Sequence, residues 1–326
     1  MALLLFHAFP AKFRPFFYKK SGCDFYKKWH IPSYLARSGA VFFLAFLFSC
    51  QPRLPRILNE NSGIARISAD SLLWANDSGN RPTLYLTDHR GRLRDSIFFE
   101  NEKNTDWEEL ARDPRDGRIF VGDFGNNSNA RRDLRVLIFS PRTGRTEHLD
   151  FSWPDQADFP PKNFDDRNFD CESMVFWRDS LHFFTKSHYQ GRSFVCKHFV
   201  VAAKPGWQSP VLLEKKVLKN RVVSGAALSQ DGHSLALIGY LFGLRWHFLP
   251  FAKATIFTFE NNGDGLFFSK KMSRQRAPGW PFSRQYESIS FVGTRKVILS
   301  NEHLLWQKPR IRTVRLRKLE DAKNAK

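Results

Sequence analysis

Sulfur is scarce in this chain, with four cysteines and three methionines among 326 residues. Four cysteines cannot supply the dense disulfide framework of a small secreted domain, and their spacing is not that of a zinc site. Long apolar runs are missing as well. The uncharged run Ser38-Gly-Ala-Val-Phe-Phe-Leu-Ala-Phe-Leu-Phe-Ser49 would span roughly 18 Å as a helix, too short for a bilayer core of about 30 Å. No Gly-rich phosphate loop, no Ser-His-Asp order and no helix–turn–helix pattern is present. These absences argue against a dinucleotide- or ATP-binding α/β fold, a serine hydrolase and a DNA reader.

Acidic residues are also in deficit, 32 against 51 Lys and Arg, a formal charge of +19. Part of that excess precedes the body. Lys19, Lys20, Lys27, Lys28 and Arg37 lead into the short apolar run, which ends at Cys50. A basic segment followed by a short apolar one has the form of an export signal. Leu47-Phe-Ser-Cys50 resembles the lipobox of bacterial lipoproteins, with a Phe in its second position and a long leader before it. The resemblance implies that Cys50 is lipidated, becomes the first mature residue and anchors the protein to a membrane. A leader cut elsewhere, or a buried helix, is the alternative. No acidic residue directly follows Cys50 (Gln51-Pro-Arg-Leu-Pro-Arg56), so the expected location is the cell envelope, on the periplasmic face of the outer membrane. Residues 1–49 form the leader on this reading, 50–60 the lipidated cysteine and linker, 61–318 the folded body and 319–326 a polar tail.

Without its leader the chain holds 44 basic and 31 acidic residues, a net charge of +13. Such a surface attracts anionic partners, among them lipid headgroups, anionic glycans and phosphorylated small molecules. The charges are scattered, however, and a solvated surface is the plainer reading, so nucleic acid is not expected as a partner. Of the cysteines left in the body, an oxidising compartment would permit Cys171 and Cys196 to pair, and two buried free thiols are the plainer expectation.

The body is rich in aromatics, with 33 Phe and 9 Trp, which favour strands. One phrase recurs in it: Ser62-Gly-Ile-Ala, Glu108-Glu-Leu-Ala, Glu172-Ser-Met-Val-Phe, Ser224-Gly-Ala-Ala-Leu and Glu287-Ser-Ile-Ser-Phe, at intervals of 46, 64, 52 and 63 residues. Each copy opens on an oxygen-bearing residue, here called position zero. Two short apolar strands separated by a polar turn such as Asp113-Pro-Arg-Asp-Gly117 follow, and then a more alternating strand. Repeated antiparallel units of this length are the sequence form of propeller blades. The expected fold is therefore all-β, a five-bladed β-propeller with a sixth blade possible, preceded by the leader. Residues 51–61 are candidates for the strand that closes the ring. Pro154–Asn168 and Tyr240–Lys253 are expected to be long loops.

The first strand of a blade lines the axis, which would gather Ser62, Glu108, Glu172, Ser224 and Glu287 near one tunnel mouth. A second column, Asp77, Asp123, Lys186, Tyr240 and Glu302, ends the second strands and should return to the same mouth. Asp106 and Asp170 are candidates for its rim. Converging carboxylates repel one another by about 4 kcal/mol per pair at roughly 4 Å in an effective dielectric near 20. Shifted proton affinities, salt bridges or a cation must relieve that repulsion. Oxygen donors without His or Cys favour calcium over zinc. The first column is accordingly the candidate Ca2+ set and the second the candidate ligand-binding set, with Arg81, Arg131, Arg132 and His188 as possible partners for a phosphate. In the structural alternative, the glutamates bind backbone amides of neighbouring blades and Asp77 and Asp123 hold their turns.

The order Ser, Glu, Glu, Ser, Glu at five blade starts resembles the calcium-activated nucleotidase (apyrase) family, whose five-bladed propellers hold calcium on the axis. The resemblance implies that role for Ser62, Glu108, Glu172, Ser224 and Glu287, and a calcium-dependent hydrolase of a phosphorylated substrate as the alternative to a binding protein. The phrases Asn76–Gly79, Asp106–Glu108, Gly122–Asn126 and Asp170–Glu172 resemble more closely those of bacterial exported β-propeller lipoproteins, over about residues 60–305. The nucleotidases' substrate-contacting loops have no counterpart in this sequence.

Overall fold

The first two strands of each repeat are buried on both faces in the computed structural model, which places them deepest. It describes residues 52–319 apart from 189, 246–248, 280–284 and 304–306. The leader, Cys50 and residues 320–326 lie outside the described residues. The first blade comprises β1 (Asn61–Arg66), β2 (Ser71–Asn76), β3 (Thr83–Asp88) and β4 (Leu93–Phe98). The second holds β5 (Trp107–Arg112), β6 (Ile119–Asp123), β7 (Leu134–Ser140) and β8 (Arg145–Phe151). The third begins with β9 (Asp170–Trp177), β10 (Ser180–Lys186) and β11 (Val195–Ala202); the chain then runs parallel to β8 as β12 (Gly206–Gln208) and returns as β13 (Val211–Val217). The fourth is β14 (Val222–Leu228), β15 (Ser234–Arg245), β16 (Leu249–Glu260) and β17 (Met272–Arg276). β18 (Tyr286–Gly293), β19 (Lys296–Asn301) and β20 (Ile311–Arg315) make the fifth.

The inner strands touch in the cycle β1, β5, β9, β14, β18 and back to β1, which closes a five-bladed β-propeller. A sixth blade is absent among the described residues. The fifth blade gains its outer edge from the segment before β1. Leu54 N donates to Pro309 O at 3.2 Å, Ile311 N to Pro52 O at 3.1 Å, and Arg53 bridges Arg310. The two ends of the body are thereby tied to each other.

Five apolar clusters make up the core, each filling a space between adjacent blades. Trp107, Leu110 and Val121 of the second blade, for example, pack against Leu73, Ala75 and Leu84 of the first. Sandwiching explains the burial gradient. β6 is buried along its whole length, whereas exposed and half-buried residues alternate along β13. Cys171 and Cys196 are buried free thiols within this core.

Two details differ from expectation or add to it. Residues 154–168 form a loop with a 3₁₀ turn at Phe164–Asp166, as expected, but Tyr240–Lys253 does not. There β15 and β16 stay paired from Tyr240 with Ala254 to Arg245 with Leu249, so the hairpin continues past the end of the other second strands. An unbroken run from Tyr240 to Arg245 without Pro, Asn or Asp offers no turn before Arg245.

The second detail is a β-bulge at position zero in every blade. Ser62, Glu108, Ser224 and Glu287 are each the extra residue in the pairing of the first two strands, and Glu172 lies in the equivalent irregularity opposite Phe184. A bulge bends its strand and re-aims one side chain.

Beyond the bulge the inner strands crowd the axis. A Cβ at Gly63 would lie 2.8 Å from Leu110 N, so β1 approaches β5 more closely than a side chain would allow. The equivalent residue of the second blade is Glu109, completely buried. Its carboxyl accepts Leu110 N at 2.9 Å, Ala226 N at 3.0 Å across the axis, and the Ile64 amide. One side chain thus satisfies inner-edge amides of three blades. Burial holds its carboxyl well above the usual range, and these amides oppose the shift. Glu109→Ala would leave buried N–H groups unpaired and should lower the unfolding free energy by roughly 3 kcal/mol, read by denaturant unfolding. Glu109→Gln, which keeps an acceptor, should cost less; equal losses would show that the amide contacts are not what matters.

Candidate functional site: an acidic tunnel mouth

Position zero and the ends of the second strands converge where the sequence places them, but they divide into two groups. On the side of the first two blades, single carboxylate oxygens of Asp77, Asp106 and Glu108 all lie within 4.8 Å of one another. Asp77 follows β2 directly, and Glu108 is the bulge residue of β5. Asp106, two residues earlier, shares a hydrogen bond with Asp77. Its backbone is pinned from the neighbouring turn, where Gly125 N donates to Asp106 O at 3.2 Å and Asp123 accepts Asp106 N at 3.0 Å. A side chain is excluded at residue 125. A Cβ there would sit 2.3 Å from both Asp106 Oδ2 and Glu108 Oε1.

On the side of the third blade, Lys186 Nζ is paired with Glu172 and lies 3.7 Å from Asp170. Asp170 also accepts the amides of Asn126 at 2.7 Å and Cys171 at 3.0 Å. Glu172 Oε2 is buried and has no hydrogen-bond partner. Glu287, Glu302 and Tyr240 interact electrostatically with Lys186 and link this group to the first.

Acid protons are held tightly at this mouth. Burial, then the Asp77 and Asp170 charges, raise Asp106 to about 7. Burial, with Asp77 and Glu172, raises Glu302 to about 8. Glu108, Glu172 and Glu287 are pushed well above the carboxylate range, chiefly by burial, with Lys186 opposing the shift at the latter two. Burial alone would lower Lys186, but Glu172, Tyr240, Asp170 and Glu287 outweigh it and keep the ammonium charged. Burial also raises the Tyr240 phenol, which remains protonated.

Several candidates are committed elsewhere. Ser62 Oγ donates to Trp107 O at 2.7 Å and Ser224 Oγ to Tyr286 O at 2.8 Å, in each case the residue before the next blade's position zero. These hydroxyls pin blade to blade. Asp123 accepts the Thr105 and Asp106 amides and pairs with Arg131 at 3.0 Å, so it holds the loop. Arg131 is also used there, donating to Gly125 O at 2.9 Å. Arg81 lies over Phe98 and Arg132 over Phe159, while His188 stacks on Phe164. Asp106, expected only at the rim, is a full member of the carboxylate trio. Glu109 was hidden as the one large residue in a column otherwise reading Gly63, Ser173, Gly225 and Ser288; that break in the pattern was its signal.

No family model and no curated protein sequence matches the chain. Among solved structures, its fold is similar to that of the Penicillium chrysogenum alpha-L-arabinanase complexed with arabinobiose. The two are 7% identical, with 83% of this chain and 98% of that one covered and a TM-score of 0.47.

The raised carboxyl groups give a signed pH dependence. Folding raises Asp106 and Glu302 from ordinary values of 3.8 and 4.5 to about 7 and about 8. Protons therefore favour the folded state, and the stability they confer is complete below about pH 4 and lost as pH rises through about 7 to 8. In chelator, the thermal midpoint should fall between about pH 4 and 8 and level off above that, and Glu302→Gln should flatten the upper part of that fall. A midpoint that rises across the interval would contradict the arrangement.

Proposed function

We propose that the protein is an envelope-anchored binding propeller whose acidic mouth takes a divalent cation of the calcium class, with an anionic ligand as its guest. The observation that carries this reading is the approach of Asp77, Asp106 and Glu108 oxygens to within 4.8 Å of one another. Their chemistry fits a hard cation, since every donor is a carboxylate oxygen and no His or Cys stands among them. The unpartnered Glu172 Oε2 offers a further buried acceptor nearby. Asp77, Asp106 and Glu108 would hold the ion. When bound, it would offset part of the mouth's negative charge and provide a positive contact for an anionic oxygen. Lys186 would supply the second positive group, kept charged by the carboxylates around it.

The anchor is the second part of the proposal. Pro52 already belongs to the outer edge of the fifth blade. A lipid on Cys50 would therefore hold that edge within about 7 Å, two extended residues, of the bilayer surface. Changing Cys50→Ser should move the protein from the membrane fraction to the soluble fraction of fractionated cells; unchanged membrane association would remove the anchor from the proposal.

Calcium titration followed by thermal unfolding tests the cation. The midpoint should rise with calcium, and Glu108→Gln should abolish most of that rise at neutral pH. If the variant responds to calcium as strongly as the parent, the ion is not held by this trio. Nucleoside diphosphate hydrolysis, measured with and without chelator, separates binding from catalysis. Chelator-sensitive turnover would replace the binding reading with a calcium-dependent phosphohydrolase.

A further inference from the structure

The acidic mouth lies at the N-terminal ends of the five inner strands. The C-terminal ends of the same strands surround a cavity of about 530 Å³, which opens at the other mouth. Ile64, Leu110, Met174, Ala226 and Ile289, each two residues after position zero, contribute to its lining. Three of these residues also donate the amides held by Glu109. That carboxyl spans the axis between the two mouths.

Four residues after position zero, the walls split by chemistry. The first two blades present Arg66 and Arg112, and the other three present Phe176, Leu228 and Phe291. Among the described residues, neither Arg66 nor Arg112 forms an ion pair, and Arg66 donates only its Nε to Ser68 O at 2.9 Å. The other arginines of this rim are occupied. Arg115 pairs with Asp113 and Asp179, while Arg178 donates to Gly263 O and lies over Trp177. The rim carboxylate of Asp231 is held by Ser229 Oγ and His233 N.

We infer that this second mouth binds an amphipathic anion of small-molecule size. Its carboxylate would lie between Arg66 and Arg112 and its apolar body against Phe176, Leu228 and Phe291. The cavity falls within the roughly 300–1,000 Å³ typical of small-ligand sites, where an apolar wall supplies burial and a few polar groups fix orientation. A neutral lipid would cover two guanidinium groups without satisfying them, and a small hydrophilic anion would leave the apolar wall wet. A ligand with one charged end and one apolar end satisfies both halves.

Isothermal titration of the full chain with decanoate, decanol and acetate tests the inference. Decanoate should bind, and decanol and acetate should each bind at least about tenfold more weakly, because each lacks one of the two contacts. Arg66→Gln combined with Arg112→Gln should weaken decanoate by about tenfold or more, whereas chelator should leave it unchanged, since the site is independent of any cation at the acidic mouth. Equal affinity for decanol, undiminished affinity in the double variant, or no decanoate binding would each overturn the inference. Should the double variant fail to fold, the parent still decides. Trp177 lines the cavity, so 2-bromodecanoate should quench tryptophan fluorescence and Trp177→Phe should remove most of that quenching; quenching that survives the substitution places the ligand elsewhere.

Discussion

A propeller leaves one edge of every inner strand without a sheet partner, and those edges meet at the axis. Backbone amides there are shut away from bulk water, so each must find an acceptor or impose a cost of about 1–3 kcal/mol. Glu109 answers this for three blades with a single carboxyl group. Its reach across the axis from β5 to β14 requires that the matching positions be small. Gly63, Ser173, Gly225 and Ser288 meet that need, and Ser288 adds a hydrogen bond of 2.9 Å to Ser62 O across the junction of the fifth and first blades. The axis is consequently a packed polar plug with one chemistry above it and another below.

Charge at the acidic mouth follows from the same geometry. A bulge recurs at position zero, and wherever that residue is a glutamate its carboxyl is delivered to the mouth. Asp77, Asp106, Asp170 and Glu302 arrive from the neighbouring strand ends. Lys186 is the one ammonium among them and cannot balance seven acids. Burial, reinforced by the neighbouring charges, therefore raises Asp106 to about 7 and Glu302 to about 8, and the protons they hold make up part of the difference. The serines at position zero lie outside this competition. Their hydroxyls are occupied with carbonyls of the next blade, so the alternation of Ser and Glu at blade starts separates fastening from charge.

Fold class and blade count could be read directly, because a five-fold phrase of apolar strands and Gly/Asp turns has few other physical solutions. The mouth was legible as a set of residues too, from the antiparallel return of each second strand. What could not be read was side-chain commitment. Asp77 and Asp123 occupy matching places and look alike in sequence, yet Asp123 is taken by Arg131 and two amides, while Asp77 accepts the adjacent Ser78 amide and also approaches Asp106 and Glu108. Partners eight to eighteen residues from Asp123 decide that outcome, and no periodicity records them. The extended β15–β16 hairpin was misread for a related reason. A run of apolar and glycine residues is compatible with a loop or a ladder, and only the pairing partner distinguishes them.

The phrase that sets the fold therefore encodes three separate layers along each inner strand. Position zero supplies charge or an inter-blade fastener, the next residue sets how closely strands approach the axis, and the residue four places on faces the second mouth. In the middle layer Gly63 and Gly225 admit no side chain, because a Cβ would collide with backbone atoms of the adjoining strand at 2.8 and 2.6 Å. The outer two differ from blade to blade, which is how Arg66 and Arg112 come to stand opposite Phe176, Leu228 and Phe291. Small residues around one spanning glutamate secure the axis, and differences between blades at the two mouths give each its own chemistry.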